Sequence, residues 1–126
     1  MLIAVNGTLM RGQPANPILL AAGARFAREA RTAPVYRLWS IHDRHPGMLR
    51  IAPGEVGGTA IALELWEIEP AQAIRVLEQE PPGLSLGWVQ LEDGVQVLGV
   101  LAEAYLLAGC AEITRYGGWR RYQDQR

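Results

Sequence analysis

Fourteen glycines and eight prolines in 126 residues cut this chain into pieces of strand length, a punctuation that leaves no room for a bundle of long helices. Leu2 to Val5 is a continuous apolar run, the pattern of a buried opening strand. Thr59 to Leu65 alternates, with Ile61, Leu63 and Leu65 on one face and Ala60, Ala62 and Glu64 on the other. Glu64 and Glu67, on either side of Trp66, are therefore expected on an exposed sheet face. Gln96 to Glu103 is more evenly apolar and reads as a strand covered on both sides. Further strands are expected over Ala24–Ala30, Val35–Ile41 and Gly87–Leu91, with Glu92-Asp93-Gly94 turning the last of these into the next. Two short helices complete the reading. Asn16 caps one, with Pro17 at its first position and Gly23 stopping it after Ala22. Pro70 opens the other over Ala71–Leu77, with Ala73, Ile74 and Leu77 as its apolar face.

A chain of this length is expected to form one domain, residues 1–126, with a core that needs no disulfide support. The formal charge of −1 and the interspersed acids and bases argue against a nucleic-acid partner. Arg115, Arg120, Arg121 and Arg126 are the one local basic bias, and a solvated face accounts for it. Cys110 is the single cysteine, so the chain holds no disulfide framework and no multi-cysteine metal site. No apolar run approaches the roughly 18 residues of a membrane span, and Met1 leads straight into a strand, so no membrane partner is expected and the chain reads as cytoplasmic. His42-Asp43-Arg44-His45 is not a ligand spacing of established geometry and no third ligand stands near it, so it reads as a polar loop. No metal and no cofactor is called for.

The chemistry is expected to start at the end of the first strand. Asn6-Gly7-Thr8 lets the chain turn with its amides exposed, and consecutive backbone N–H groups can cradle a carboxylate or an oxyanion without any charged side chain. An ordinary Asn-Gly hairpin turn is the other reading of the same residues.

Asn6-Gly7-Thr8-Leu9, followed by Met10-Arg11-Gly12, resembles the Tyr-Gly-Ser/Thr-Leu signature that the γ-glutamylcyclotransferase-like superfamily carries after its first strand, with Asn6 in place of the aromatic. Four further segments resemble one branch of that superfamily, the allophanate hydrolase C-terminal domain: Gly12 to Asn16, Thr32 to Leu38, Leu86 to Gly94 and the closing Glu112 to Tyr122. The resemblance implies an α+β fold, a small, partly closed β-barrel with a few short helices packed around it.

It also implies a site. In γ-glutamylcyclotransferases the first loop holds the amino-acid end of the substrate and a glutamate after a helix moves the proton. Glu80, in Val76-Leu77-Glu78-Gln79-Glu80, falls where that glutamate belongs, although the Asp-x-x-Glu-Gly pattern is not present as such. A carboxylate there can take a proton from a γ-glutamyl amine and return it to the departing amine, and burial would help by raising its pKa. A solvated glutamate at a helix end is the alternative. Asn6, Gly7, Thr8 and Leu9 are the expected substrate-binding residues, joined by Glu103 and Arg120. Glu103 resembles the glutamate of the branch's Gly-Phe-x-x-Glu pattern, on an apolar strand where a charge must be paired or line a cavity, and Arg37 or Arg120 would serve as its partner. Gly47-Met48-Leu49 resembles a pocket-wall segment. In Tyr116-Gly117-Gly118-Trp119-Arg120, Trp119 can seal the end of a barrel while Arg120 meets a carboxylate; packing alone also explains the glycines and the tryptophan.

The implied substrate is a small carboxylate- or amide-containing metabolite, and the implied activity cofactor-free acyl chemistry of cyclotransferase type. The alternatives are an accessory or decarboxylase-like role in urea or allophanate metabolism beside a separate amidase, or a binding module without catalysis. The allophanate hydrolase branch carries a first-loop histidine in a Gly-Ala-His-Leu context, associated with decarboxylation; Asn6-Gly7-Thr8-Leu9 has none.

Overall fold

The computed structural model describes residues 1–126. Eight strands and four short helices follow one another as β1 (Leu2–Val5), α1 (Asn16–Ala21), β2 (Arg25–Arg31), β3 (Tyr36–Ile41), β4 (His45–Arg50), β5 (Ala62–Glu67), α2 (Pro70–Glu78), β6 (Leu84–Gln90), β7 (Gln96–Ala102), α3 (Ala104–Leu107), β8 (Ala111–Glu112) and α4 (Trp119–Gln125). A turn of 3-10 helix, Thr114–Tyr116, precedes α4.

The strands form two sheets. Five are ordered β2-β5-β1-β7-β6, and three are ordered β4-β3-β8. β1 lies inside the larger sheet, antiparallel to β5 and parallel to β7, which is why its four residues read as an unbroken apolar run. The larger sheet curls until its two outer strands meet at one end, where Thr32 bridges Leu91 and the Ala33 N–H donates to Gln90 O at 2.9 Å. It does not close along its length, so the partly closed barrel of the sequence reading becomes a curled sheet with a second sheet beside it. The right-handed twist of strands favours such curling, and the Thr32–Leu91 bridge is where the edges come within reach. Ile3, Leu19, Leu38, Ile61, Leu65, Val89 and Trp119 are among the fully buried side chains that fill the interior.

Several expectations shift by a residue or two. Asn16 is the first helical residue of α1 rather than its cap, which is Ala15; the Asn16 amide instead donates to Leu9 O at 2.9 Å and ties α1 to the first loop. On α2 the buried face is Ala73 and Val76, and Ile74 stands 55% exposed. Glu103 lies past the end of β7, not within it. The largest departure is β4, which runs through His45-Pro46-Gly47. An edge strand accepts proline because the missing N–H faces away from its neighbour, and β4 is such an edge. His42 and Asp43, both at positive φ (53° and 58°), turn β3 into it. Ser40 Oγ, Tyr122 and Arg126 converge on the Asp43 carboxylate, so α4 clasps this hairpin.

Candidate active site

The loop after β1 is fastened through its carbonyls and its far end. Met10 N–H donates to Gly7 O at 3.0 Å, Ala15 N–H to Thr8 O at 2.9 Å, and Arg11 N–H to Glu64 Oε1 at 3.0 Å. The N–H groups of Asn6, Gly7, Thr8 and Leu9 meet no acceptor within the protein. Successive backbone donors without a partner in the protein can hold an anion where they share a cavity. The side chains serve the loop itself. Asn6 is buried, with its amide on Val100 O at 3.0 Å, and Leu9 belongs to the core. Gly7 is required by space: a Cβ would run into the ring of Pro46.

These residues line a cavity of about 20 Å³ together with Val5, His45, Pro46, Glu80, Leu84 and Val100, room for about one water-sized group. Thr8, His45 and Glu80 also line an adjoining cleft of about 390 Å³, whose other walls include Ala15, Ile18, Arg44 and Gln79. Thr8, His45 and Glu80 are thus the residues that the cavity and the cleft have in common. Glu80 sits just beyond α2, its N–H on Leu77 O at 3.0 Å, and no ion pair includes it. Burial lifts its carboxyl above the ordinary carboxylate range, with no donor or cation opposing the shift. That environment suits a group that must hold a proton and release it.

His45 is the pocket residue that sequence reasoning passed over. It opens β4, is buried, and sets ring Nδ1 3.1 Å from Pro46 O. The resemblance pointed two residues further, to Gly47-Met48-Leu49; of these Gly47 packs against Leu107 and Met48 lies in the core. Its stretch was read as a polar loop, and His45-Pro46-Gly47-Met48 instead form four successive buried residues of an edge strand, with no alternation to announce it.

Neither Glu103 nor Arg120 is brought to this pocket. Glu103 is exposed, in the cap position of α3, its N–H on Gly83 O at 2.8 Å and its carboxylate in no ion pair with Arg37 or Arg120. Arg120 does meet a carboxylate, that of Glu64, at 2.8 Å. Glu64 is itself the reverse of the expected exposed residue. It is 2% exposed and accepts from Arg11 N–H, Arg11 Nε, Arg120 Nη2 and Trp66 Nε1 at 2.8–3.1 Å. Burial pushes its pKa up, but these donors outweigh it and hold the carboxyl below its usual range. Period-2 alternation assigned Glu64 to the far face correctly; the loop after β1 and α4 cover that face, which alternation does not reveal. Together with Arg31 and Trp119 it borders a separate cleft of about 500 Å³. No group of three His, Cys, Asp or Glu side chains is arranged to hold a metal ion.

Residues 1–124 match the model of the allophanate hydrolase C-terminal domain. The chain belongs to that family. A uropathogenic E. coli-specific protein of known structure is 50% identical, superposes with a TM-score of 0.93, and is matched over 99% of this chain and 96% of its own. The urea amidolyase of Lachancea kluyveri is 29% identical over 97% of this chain, which spans 7% of that protein's length. An aig2-like protein from Mus musculus is 25% identical with a TM-score of 0.60, over 86% of this chain and 79% of its own, so this allophanate hydrolase C-terminal domain also has the γ-glutamylcyclotransferase-like fold. No helix is long and apolar enough to cross a membrane.

Proposed function

We propose that this domain is a cofactor-free acid–base enzyme acting on an acyl–nitrogen bond of a small carboxylate-bearing metabolite, with cyclotransfer of a γ-glutamyl amine as its best-defined form. The observation that carries the reading is the juxtaposition of Glu80 with the unspent amides of Asn6 to Leu9 around one cavity. The amides hold the carboxylate or the developing oxyanion, where oriented backbone donors act most strongly because water is excluded. The attacking α-nitrogen closes on the γ-carbonyl carbon, and the Glu80 carboxylate takes a proton from that nitrogen. As the C–N bond to the leaving amine breaks, Glu80 hands the proton over, leaving 5-oxoproline.

The test is release of 5-oxoproline from a panel of γ-glutamyl amines by wild type and Glu80→Gln. Loss of about 10²–10⁴-fold in kcat with the fold intact is expected; unchanged turnover in the variant would remove Glu80 from the mechanism. A second reading is favoured by the similarity to a short part of a urea amidolyase: the Glu80 pocket would decarboxylate an N-carboxylated amide beside a separate amidase. In that case wild type releases carbon dioxide from such compounds, the nitrogen taking up the proton as its bond to the carboxylate breaks, and no 5-oxoproline from the γ-glutamyl panel. The binding-module reading is left standing only if neither panel turns over.

A further inference from the structure

Cyclotransfer takes two protons off the attacking nitrogen, and one carboxylate can carry only one of them at a time. The attacking nitrogen enters as an ammonium with three protons and leaves as a lactam N–H with one. One of the two lost protons passes through Glu80 to the leaving amine; the other must be removed before attack, since an ammonium has no lone pair. The walls around Glu80 offer one further group able to accept it. Arg44, in the same cleft, is a permanent donor, and no other Asp, Glu or His lines either the cavity or the cleft apart from His45.

The hydrogen bond of His45 settles how its ring is presented. Pro46 O is a carbonyl and only accepts, so Nδ1 is the nitrogen that carries hydrogen. In the neutral ring Nε2 then holds the lone pair, and it has no partner in the protein. Pinning one ring nitrogen to a backbone carbonyl is the general way a histidine is fixed as a base at the other. His45 is thus held by its own strand, and it is one of the three residues common to the cavity and the cleft.

We propose that His45 is the second proton acceptor of this site: its Nε2 takes the first proton from the substrate ammonium, and the freed nitrogen lone pair then attacks while Glu80 manages the second proton. His45 afterwards yields its proton to solvent or to the departing amine, so every proton is accounted for. This rests on the acid–base reading of the Glu80 pocket.

The test separates the two. His45→Asn keeps a donor at the position of Nδ1 and deletes Nε2; His45→Gln serves as the second variant if the first does not fold. With γ-glutamyl amines, kcat should fall about 10²–10⁴-fold with the melting temperature kept. Wild-type kcat in either folded variant overturns the proposal. Long-range ¹H–¹⁵N spectra of the two histidines, His42 and His45, read the ring without any turnover, and the variant assigns them. The neutral His45 should carry its proton on Nδ1, and added 5-oxoproline or glutamate should move Nε2 while Nδ1 stays. A proton on Nε2 alone, or an Nε2 signal unmoved by both ligands, overturns it. Absent turnover in wild type with an Nε2 that still responds to ligand would sink the cyclotransfer reading and leave His45 in the site.

Discussion

Replacing Glu64 by glutamine tests the clamp that fixes the first loop. Four donors converge on this carboxylate, two from Arg11, one from Arg120 and one from Trp66. An amide of the same shape offers one oxygen and turns an N–H₂ group toward donors, so at best about half of these bonds survive. Hydrogen bonds to charged groups contribute about 1.5–3 kcal/mol each, and removing one partner of a buried ion pair typically costs about 3–5 kcal/mol. Here the group removed is the buried one, and the arginine side chains it leaves are 44% and 40% exposed, free to recover water. The lower end applies, about 3 kcal/mol, which lowers the melting temperature of a domain this size by about 10 °C. Thermal unfolding followed by circular dichroism and calorimetry measures it. The pH dependence has a definite sign. Because the folded-state pKa of Glu64 is lowered, its contribution is present above the unfolded value of 4.5 and is lost as pH falls through the folded one. The gap between wild type and Glu64→Gln should therefore narrow in acid. A drop of less than about 2 °C at neutral pH, or a gap that widens in acid, would refute the reasoning.

Three further substitutions probe other parts of the structure. Glu80→Gln should melt higher than wild type at neutral pH, because a raised carboxyl pKa means stability that is full below 4.5 and lost as pH rises through the folded value; equal or lower melting at neutral pH would show that Glu80 is not desolvated. Gly7→Ala drives a methyl into the Pro46 ring and should cost about 1–3 kcal/mol by overpacking along with turnover, so a neutral effect in urea denaturation would mean the pocket wall gives way. Trp119→Ala should cost about 3–5 kcal/mol, since the ring is 1% exposed in the core; a loss below about 1 kcal/mol would mean that α4 is not held by it.

Where neighbours in sequence decide the outcome, the chain was legible. The apolar run Leu2–Val5, the Glu92-Asp93-Gly94 turn with Gly94 at φ 89°, and the helix opened by Pro70 all stand where local pattern puts them. Where distant segments decide it, local pattern failed. Glu64 is buried because the first loop and α4 fold over the outer side of β5, with Arg120 arriving from 56 residues away. Arg120 was read as meeting a carboxylate; its partner proved to be the buried Glu64 of the protein itself, leaving it outside the Glu80 pocket. Glu103 follows an apolar strand, yet the chain leaves the sheet one residue earlier and exposes it. His45 was read as part of a polar loop, and stands instead at the start of an edge strand that Pro46 and Gly47 continue.

The central claim is that the amides of the first loop, facing Glu80, are what holds the ligand. Titrating ¹⁵N-labelled protein with 5-oxoproline, and following the backbone ¹H–¹⁵N spectrum, tests it residue by residue. The account predicts that Gly7, Thr8 and Leu9 shift together, saturably, while the amides around Glu64 and Arg120 stay in place. Saturable shifts confined to the Glu64 cleft, with the first loop unmoved, would contradict it.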